Sequence, residues 1–261
     1  MPVFIDQTRR NVFIADIPQR IISLVPSQTE LLSDLGLDKE VIGITKFCVH
    51  PNQWFQTKTR VGGTKQIQMD SIHQLQPDLI IANKEENVKE QIEELEKYYP
   101  VWISDVNNLQ AAYEMIEQIG LITNKELAAT KIIFCIKENF AKIEIPPAKP
   151  AAGYLIWQNP FMTIGGDTFI HSMLEAAGFK NLFAYKTRYP EVTIADLEIE
   201  NCRLLLLSSE PFPFTQKHIN ELLSRLPNTQ ILLADGEMFS WYGSRLLQAP
   251  EYFMNLHRQI I

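Results

Sequence analysis

At 261 residues the chain is long enough to bury a sizeable core in two lobes, and its 46% hydrophobic and 21% charged residues are those of a globular protein. Lys and Arg total 24 against 31 Asp and Glu, a net charge of −7, which argues against nucleic acid or an anionic membrane as the main partner. The three cysteines, Cys48, Cys135 and Cys202, are far apart and form no CxxC, so a disulfide framework or a cysteine zinc site is excluded in favour of buried free thiols.

In chain order, 3–5 and 12–14 (VFI, VFI) flank a polar turn and predict a short hairpin. The first twenty residues lack a basic stretch followed by an apolar one and do not read as a signal peptide; no apolar run reaches membrane-span length. Ile21–Val25 is a buried-strand run, Pro26 and Ser27 a turn, and Thr29–Leu35 a helix closed near Gly36. Val41–Thr45 is the next strand, so strand, helix and strand alternate as in a parallel sheet. A helix over 69–75, the strand PDLIIAN, a helix over 87–98, the strand VWISD and a helix over 107–121 follow.

Residues 124–143, NKELAATKIIFCIKENFAKI, predict one long helix. Asn124 is the expected N-cap and Glu126 suits the positive helix end. Leu127, Ala128, Ile132, Cys135, Ile136, Phe140 and Ile143 recur at helical spacing, and Pro146 and Pro147 are the expected stop. Such a rod is roughly 30 Å long.

After the linker IPPAKPAA the plan starts again. Tyr154–Trp157 is a strand, and GGDTFIHSMLEAAGF a loop and helix ending near Gly178. IADLEIENCRLLLLSSEPFPFTQKHINELLSRL repeats the form of MDSIHQLQPDLIIANKEENVKEQIEELEKY, with Leu79–Ala82 falling on Leu204–Leu207 and Glu85 on Glu210. The organisation expected is an N-terminal α/β lobe over 1–123, a connecting helix over 124–145 and a C-terminal α/β lobe over 146–261. A ligand would then sit in the cleft between the lobes, at the carboxyl ends of the strands.

RIISLVPSQTELLSDLGL…VIGIT, VGGTKQ…PDLIIAN and GGDTFIHSMLEAAGFKNLF resemble the class III substrate-binding proteins of ABC importers, the helical-backbone metal-receptor superfamily. The resemblance spans roughly residues 12–260 and is nearest the vitamin B12-binding branch. It implies two Rossmann-like lobes with parallel central sheets, joined by one long backbone helix. It implies no catalysis, and a metal chelate as ligand: cobalamin, or less favourably a ferric siderophore. It also implies a monomer with a small-molecule partner, an extracytoplasmic location, and docking of a glutamate from each lobe on an ABC permease; Glu85 or Glu86 and Glu210 are the matching acids. A cytoplasmic corrinoid-binding protein of the same fold, with no permease, stays open beside it.

The loops after the strands hold the candidate ligand residues. Phe47, Trp157, Phe161, Trp241 and Tyr242 offer flat surface to a corrin or siderophore, with Trp54 and Phe239 weaker. Trp241-Tyr242 is the strongest pair, marked as loop by Gly236 and Gly243. Ser27, Asp167, Lys65 and Arg245 supply polar contacts, the two cations either to an anionic ligand group or to a salt bridge. His50 stands in a loop and suits a single axial contact to a chelated metal; His73, His171, His218 and His257 lie on helices, and no bare metal site or covalent cofactor is expected. No GxSxG, P-loop or GxGxxG follows a strand; were the fold reused by an enzyme, Asp235 or Glu237 would be the buried acid.

Overall fold

A computed structural model describes residues 2–144 and 148–260. The expected stop at Pro146 and Pro147 lies outside the described residues. The chain divides into two compact units: Met1–Val106, Gln110–Ile136 and Tyr242–Arg245 in one, and Asn107–Leu109, Lys137–Trp241 and Leu246–Ile261 in the other.

The first unit opens with the hairpin β1 (Val3–Ile5) and β2 (Asn11–Phe13), antiparallel with Val3 opposite Phe13. Its main sheet has five parallel strands in the order β5 (Thr59–Arg60), β4 (Val41–Ile44), β3 (Ile21–Ser23), β6 (Leu79–Asn83) and β7 (Val101–Ser104). β6 is buried at all five positions, as a central parallel strand covered on both faces must be. The helices are α1 (Pro26–Asp34), α2 (Asn52–Thr57), α3 (Met69–Leu75), α4 (Lys89–Leu95) and α5 (Leu109–Ile122). Ile72 of α3 and Ile92 and Leu95 of α4 join Ile22, Ile80, Ala82 and Val101 in one core cluster. The turn expected at Pro26 and Ser27 is instead the first turn of α1, where proline loses no hydrogen bond.

The second unit has four parallel strands in the order β11 (Gln230–Ala234), β10 (Leu204–Ser208), β8 (Ala151–Leu155) and β9 (Lys180–Asn181). Leu204–Leu207 align with Ala152–Leu155 on one side and Gln230–Leu233 on the other. The order β9-β8-β10-β11 repeats β4-β3-β6-β7, the topological counterpart of the repeat in the sequence. Its helices are α7 (Phe169–Ala176), α8 (Ile194–Ile199), α9 (Gln216–Leu223), α10 (Gly236–Ser240) and α11 (Ala249–His257). α7 ends at Gly178, whose φ of 86° is the left-handed conformation glycine adopts freely.

α6 (Glu126–Phe140) is one unbroken helix of 15 residues, shorter at both ends than expected. Asn124 is not its N-cap. With φ at 56°, Asn124 closes α5: its N–H bonds to Leu121 O, and the Lys125 N–H to Gly120 O at 2.7 Å. That pair of bonds is a Schellman motif, and asparagine tolerates its left-handed residue. Helical periodicity also overstated the buried face of α6, because Leu127 is 90% exposed. Only Ala129 and Ile136 of this helix are fully buried.

α5 and α6 pack closely where Gly120 faces Ala129. A Cβ at Gly120 would lie 2.4 Å from the Ala129 Cβ. Gly120→Ala is therefore expected to destabilise the fold by about 1–3 kcal/mol through overpacking, although alanine favours an isolated helix; thermal unfolding of the variant checks this.

Candidate functional site

The candidate residues fall on loops that follow strands. In the first unit, β4 leads through Thr45 to Phe47, which is 50% exposed, with the Lys46 ammonium 5.1 Å from its ring centre. Beneath it Cys48 is buried, its Sγ 3.0 Å from Thr29 Oγ1 and 3.2 Å from Thr45 Oγ1. Burial pushes this thiol's pKa up.

The loop after β6 is set by two asparagines. Asn83 Oδ1 accepts the N–H groups of Glu85 and Glu86 at 2.8 and 3.0 Å. Asn87 Oδ1 accepts the Asn83 N–H, and its amide donates to the carbonyls of Leu24 and Thr64. Lys65, exposed, donates to the Glu85 carbonyl at 2.5 Å.

Tyr242 and Arg245 belong to this unit. The buried Tyr242 hydroxyl donates to Glu86 Oε1 at 2.6 Å. Desolvation, then the Glu86 charge, holds this phenol well above its ordinary pKa. Arg245 is buried and forks onto Glu30, Nε to Oε2 at 3.0 Å and Nη2 to Oε1 at 2.7 Å. Burial raises the Glu30 pKa and Arg245 opposes the rise. Of the two readings of Arg245 the structure shows the salt bridge, a pairing that recognition of an anionic ligand would have to break. Ser27 is also buried, in the first turn of α1. His50 is half-buried on the loop after β4.

In the second unit Trp157 follows β8 and is 40% exposed. Its ring meets Phe212 edge-on at 5.8 Å, and Phe212 meets Phe214 at 4.8 Å. Phe161 is partly buried against the core and its carbonyl accepts the Val192 N–H, a structural position. Asp167 is exposed and accepts the Arg188 N–H at 2.6 Å. Trp241 is only 6% exposed and donates its indole N–H to Glu210 Oε1 at 3.0 Å.

The structure thus sorts the aromatic candidates. Phe47 and Trp157 present open ring surface; Trp241 and Tyr242 are packed, their polar tips spent on glutamates. The segment 236–240 is the helix α10 capped by Asp235, not the loop its glycine suggested. Trp54 is buried with its indole N–H on Asp38 at 2.6 Å, and Phe239 packs on Tyr154 and Phe253. Cys135 is half-buried rather than buried. The sequence reading missed Phe212, for which an aromatic residue between two prolines after a strand was the available signal, and Glu30, whose partner is 215 residues away. Among the described residues no group of three or more His, Cys, Asp or Glu side chains is placed to hold a metal, and no helix is long and apolar enough to cross a membrane.

Parallel sheets flanked by helices, with aromatic and polar side chains on the loops that leave the strands, are the architecture of a binding protein. The chain belongs to the periplasmic binding protein family, whose model matches residues 21–206, and like that family it is non-catalytic. It is 26% identical over 199 residues to the vitamin B12-binding protein of Vibrio campbellii, covering 73% of this chain and 70% of that one. It is 27% identical over 206 residues to YvrC of Bacillus subtilis, described as an uncharacterized ABC transporter substrate-binding lipoprotein, covering 74% of this chain and 64% of that one. Among solved structures, the periplasmic vitamin B12 binding protein BtuF of Vibrio cholerae superposes with TM-score 0.74 at 20% identity, over 94% of this chain and 99% of that one. The periplasmic heme binding protein HutB of the same organism gives 0.80 at 18%, over 92% and 98%. At these identities the two structures establish the fold.

Arg245→Ala would leave the Glu30 carboxylate desolvated and unpaired. The expected cost is about 3–5 kcal/mol in chemical denaturation. Replacing Glu30 and Arg245 together by apolar residues of similar size is expected to recover most of it, which a double-mutant cycle measures.

Proposed function

We propose that this chain is the extracytoplasmic substrate-binding subunit of an ABC importer and that it carries a metal chelate, a corrinoid in preference to a ferric siderophore. The observation that carries the reading is that each unit has an open aromatic ring on a loop at the carboxyl end of a strand, Phe47 in the first and Trp157 in the second. On binding loops such rings meet a large, partly apolar ligand with little loss of side-chain freedom. The names of the Vibrio relatives support the corrinoid over other chelates. Phe212, half-buried against the core of the second unit, supports the Trp157 ring edge-on, and the exposed Lys65 of the first unit and Asp167 of the second are the polar candidates. His50 serves as an axial contact to the chelated metal in this reading, and no protein metal site is involved.

For the permease contact the matching acids are Glu85 or Glu86, in the loop whose N–H groups Asn83 Oδ1 holds, and Glu210 in the loop after β10. The Glu86 carboxylate accepts the Tyr242 hydroxyl, and that of Glu210 is turned inward onto Ser240 and Trp241.

Calorimetric titration with cyanocobalamin tests the reading. Micromolar or tighter binding is expected, with Trp157→Ala weakening it at least tenfold, about 1.4 kcal/mol or more. The melting temperature should change little, because the ring is partly exposed. Failure of corrinoids, heme and ferric siderophores alike to bind would overturn it; binding of heme alone would move the ligand class.

A further inference from the structure

We propose that Glu210 is a positioning residue for Trp241: its ionised carboxylate holds the indole in place, and protonation loosens that hold. The inference goes beyond the ligand reading and does not depend on it, since every group involved lies in the second unit.

Glu210 stands in the loop that follows β10. One oxygen, Oε1, accepts both the Ser240 hydroxyl and the Trp241 indole N–H. Those donors are the last residue of α10 and the residue after it, so a single carboxylate ties down the end of that helix. The approach is made possible by Gly236. A Cβ there would stand 2.5 Å from Glu210 Cγ and 3.0 Å from Glu210 N. Behind the carboxylate, Tyr154 of β8 donates to Ser208 Oγ at 3.1 Å, and Ser208 donates to the Glu210 carbonyl at 2.6 Å. The main chain of Glu210 is therefore fixed independently of its side-chain charge.

Among the described residues no Lys, Arg or His forms an ion pair with Glu210. The charged groups that face it have its own sign: Asp235, which caps α10, and Glu237 in the first turn of that helix. The remaining titratable neighbours are the phenols of Tyr154 and, on α11, Tyr252, which accepts the Asp235 N–H at 2.7 Å. A carboxylate shielded from water, facing two acids and held only by two neutral donors, binds a proton more readily than one in water. Desolvation is the largest cause of its raised pKa; the Ser240 and Trp241 bonds oppose the rise.

Hydrogen bonds to an ionised acceptor are about twice as strong as those to a neutral one. Protonation therefore weakens both tethers at once while the Tyr154–Ser208 bonds behind them persist. Stability follows the opposite sign. Because the folded-state pKa is raised, the favourable contribution of this proton is fully present below the ordinary carboxylate pKa and is lost as pH rises through the raised value. Acid thus favours the fold at this site while releasing Trp241.

The test is the indole 1H–15N resonance of Trp241 in the full chain without ligand, assigned by its loss in Trp241→Phe, followed from neutral pH down to the ordinary carboxylate pKa. One sigmoidal step is expected in the native chain and none in Glu210→Gln. Ser240→Ala keeps the acid but removes a donor to its ionised form. Its midpoint should be higher by about one pH unit, the size of one charge-assisted hydrogen bond. A resonance that does not move with pH in the native chain, or that titrates identically in Glu210→Gln, would overturn the proposal. If Glu210→Gln does not fold, the Ser240→Ala midpoint decides: an upward shift supports the assignment and an unchanged midpoint refutes it.

Discussion

A guanidinium and a carboxylate withdrawn together from water, Arg245 and Glu30, fix the segment Tyr242–Arg245 in the first unit. Neither group tolerates burial alone, and the fork geometry supplies two charge-assisted bonds that offset the desolvation of both. Gly243 lies between them against α1, where a Cβ would stand 2.7 Å from the Ser27 carbonyl oxygen. Side-chain charge and backbone fit therefore act on the same four residues. A stretch from the last twenty residues of the chain is thereby built into the unit formed by the first half.

The same physics separates the aromatic residues. A buried indole or phenol usually spends its polar tip on a partner, although the indole N–H of fully buried Trp102 has none. Trp54 finds Asp38, Trp241 finds Glu210 and Tyr242 finds Glu86. Once so satisfied, a ring is part of the framework and presents little surface to a ligand. Phe47 and Phe212 have no polar atom to satisfy, and Trp157 keeps two-fifths of its surface in water. Among the candidate aromatics, the rings that stay open are Phe47, on the loop leaving β4, and Trp157, on the loop leaving β8.

Most of the fold was legible, because it rests on local patterns: apolar runs such as LIIAN and LLLLS between turn signals, and the recurrence of one strand–helix plan. The matching strand orders of the two sheets follow from that recurrence. Legibility failed where a residue type serves two purposes. Asn124 carries the chemistry of an N-cap, yet here it takes the left-handed position that ends the preceding helix. Leu127 keeps helical spacing but meets solvent, since periodicity names a stripe and not what covers it. Arg245 stayed open between a ligand contact and a salt bridge, because a pairing across 215 residues leaves no trace in local sequence. Glu210 falls on Glu85 in the internal repeat, but a matched position does not set side-chain direction.

The disposition of the thiols has a practical corollary. Cys48 and Cys202 are enclosed, and burial suppresses formation of the thiolate that reacts with electrophiles. Cys135, half-buried on α6, is the most accessible sulfur of the three. A maleimide fluorophore should attach there in preference, giving a singly labelled molecule with no engineered cysteine and a reporter on the helix that joins the two halves of the chain.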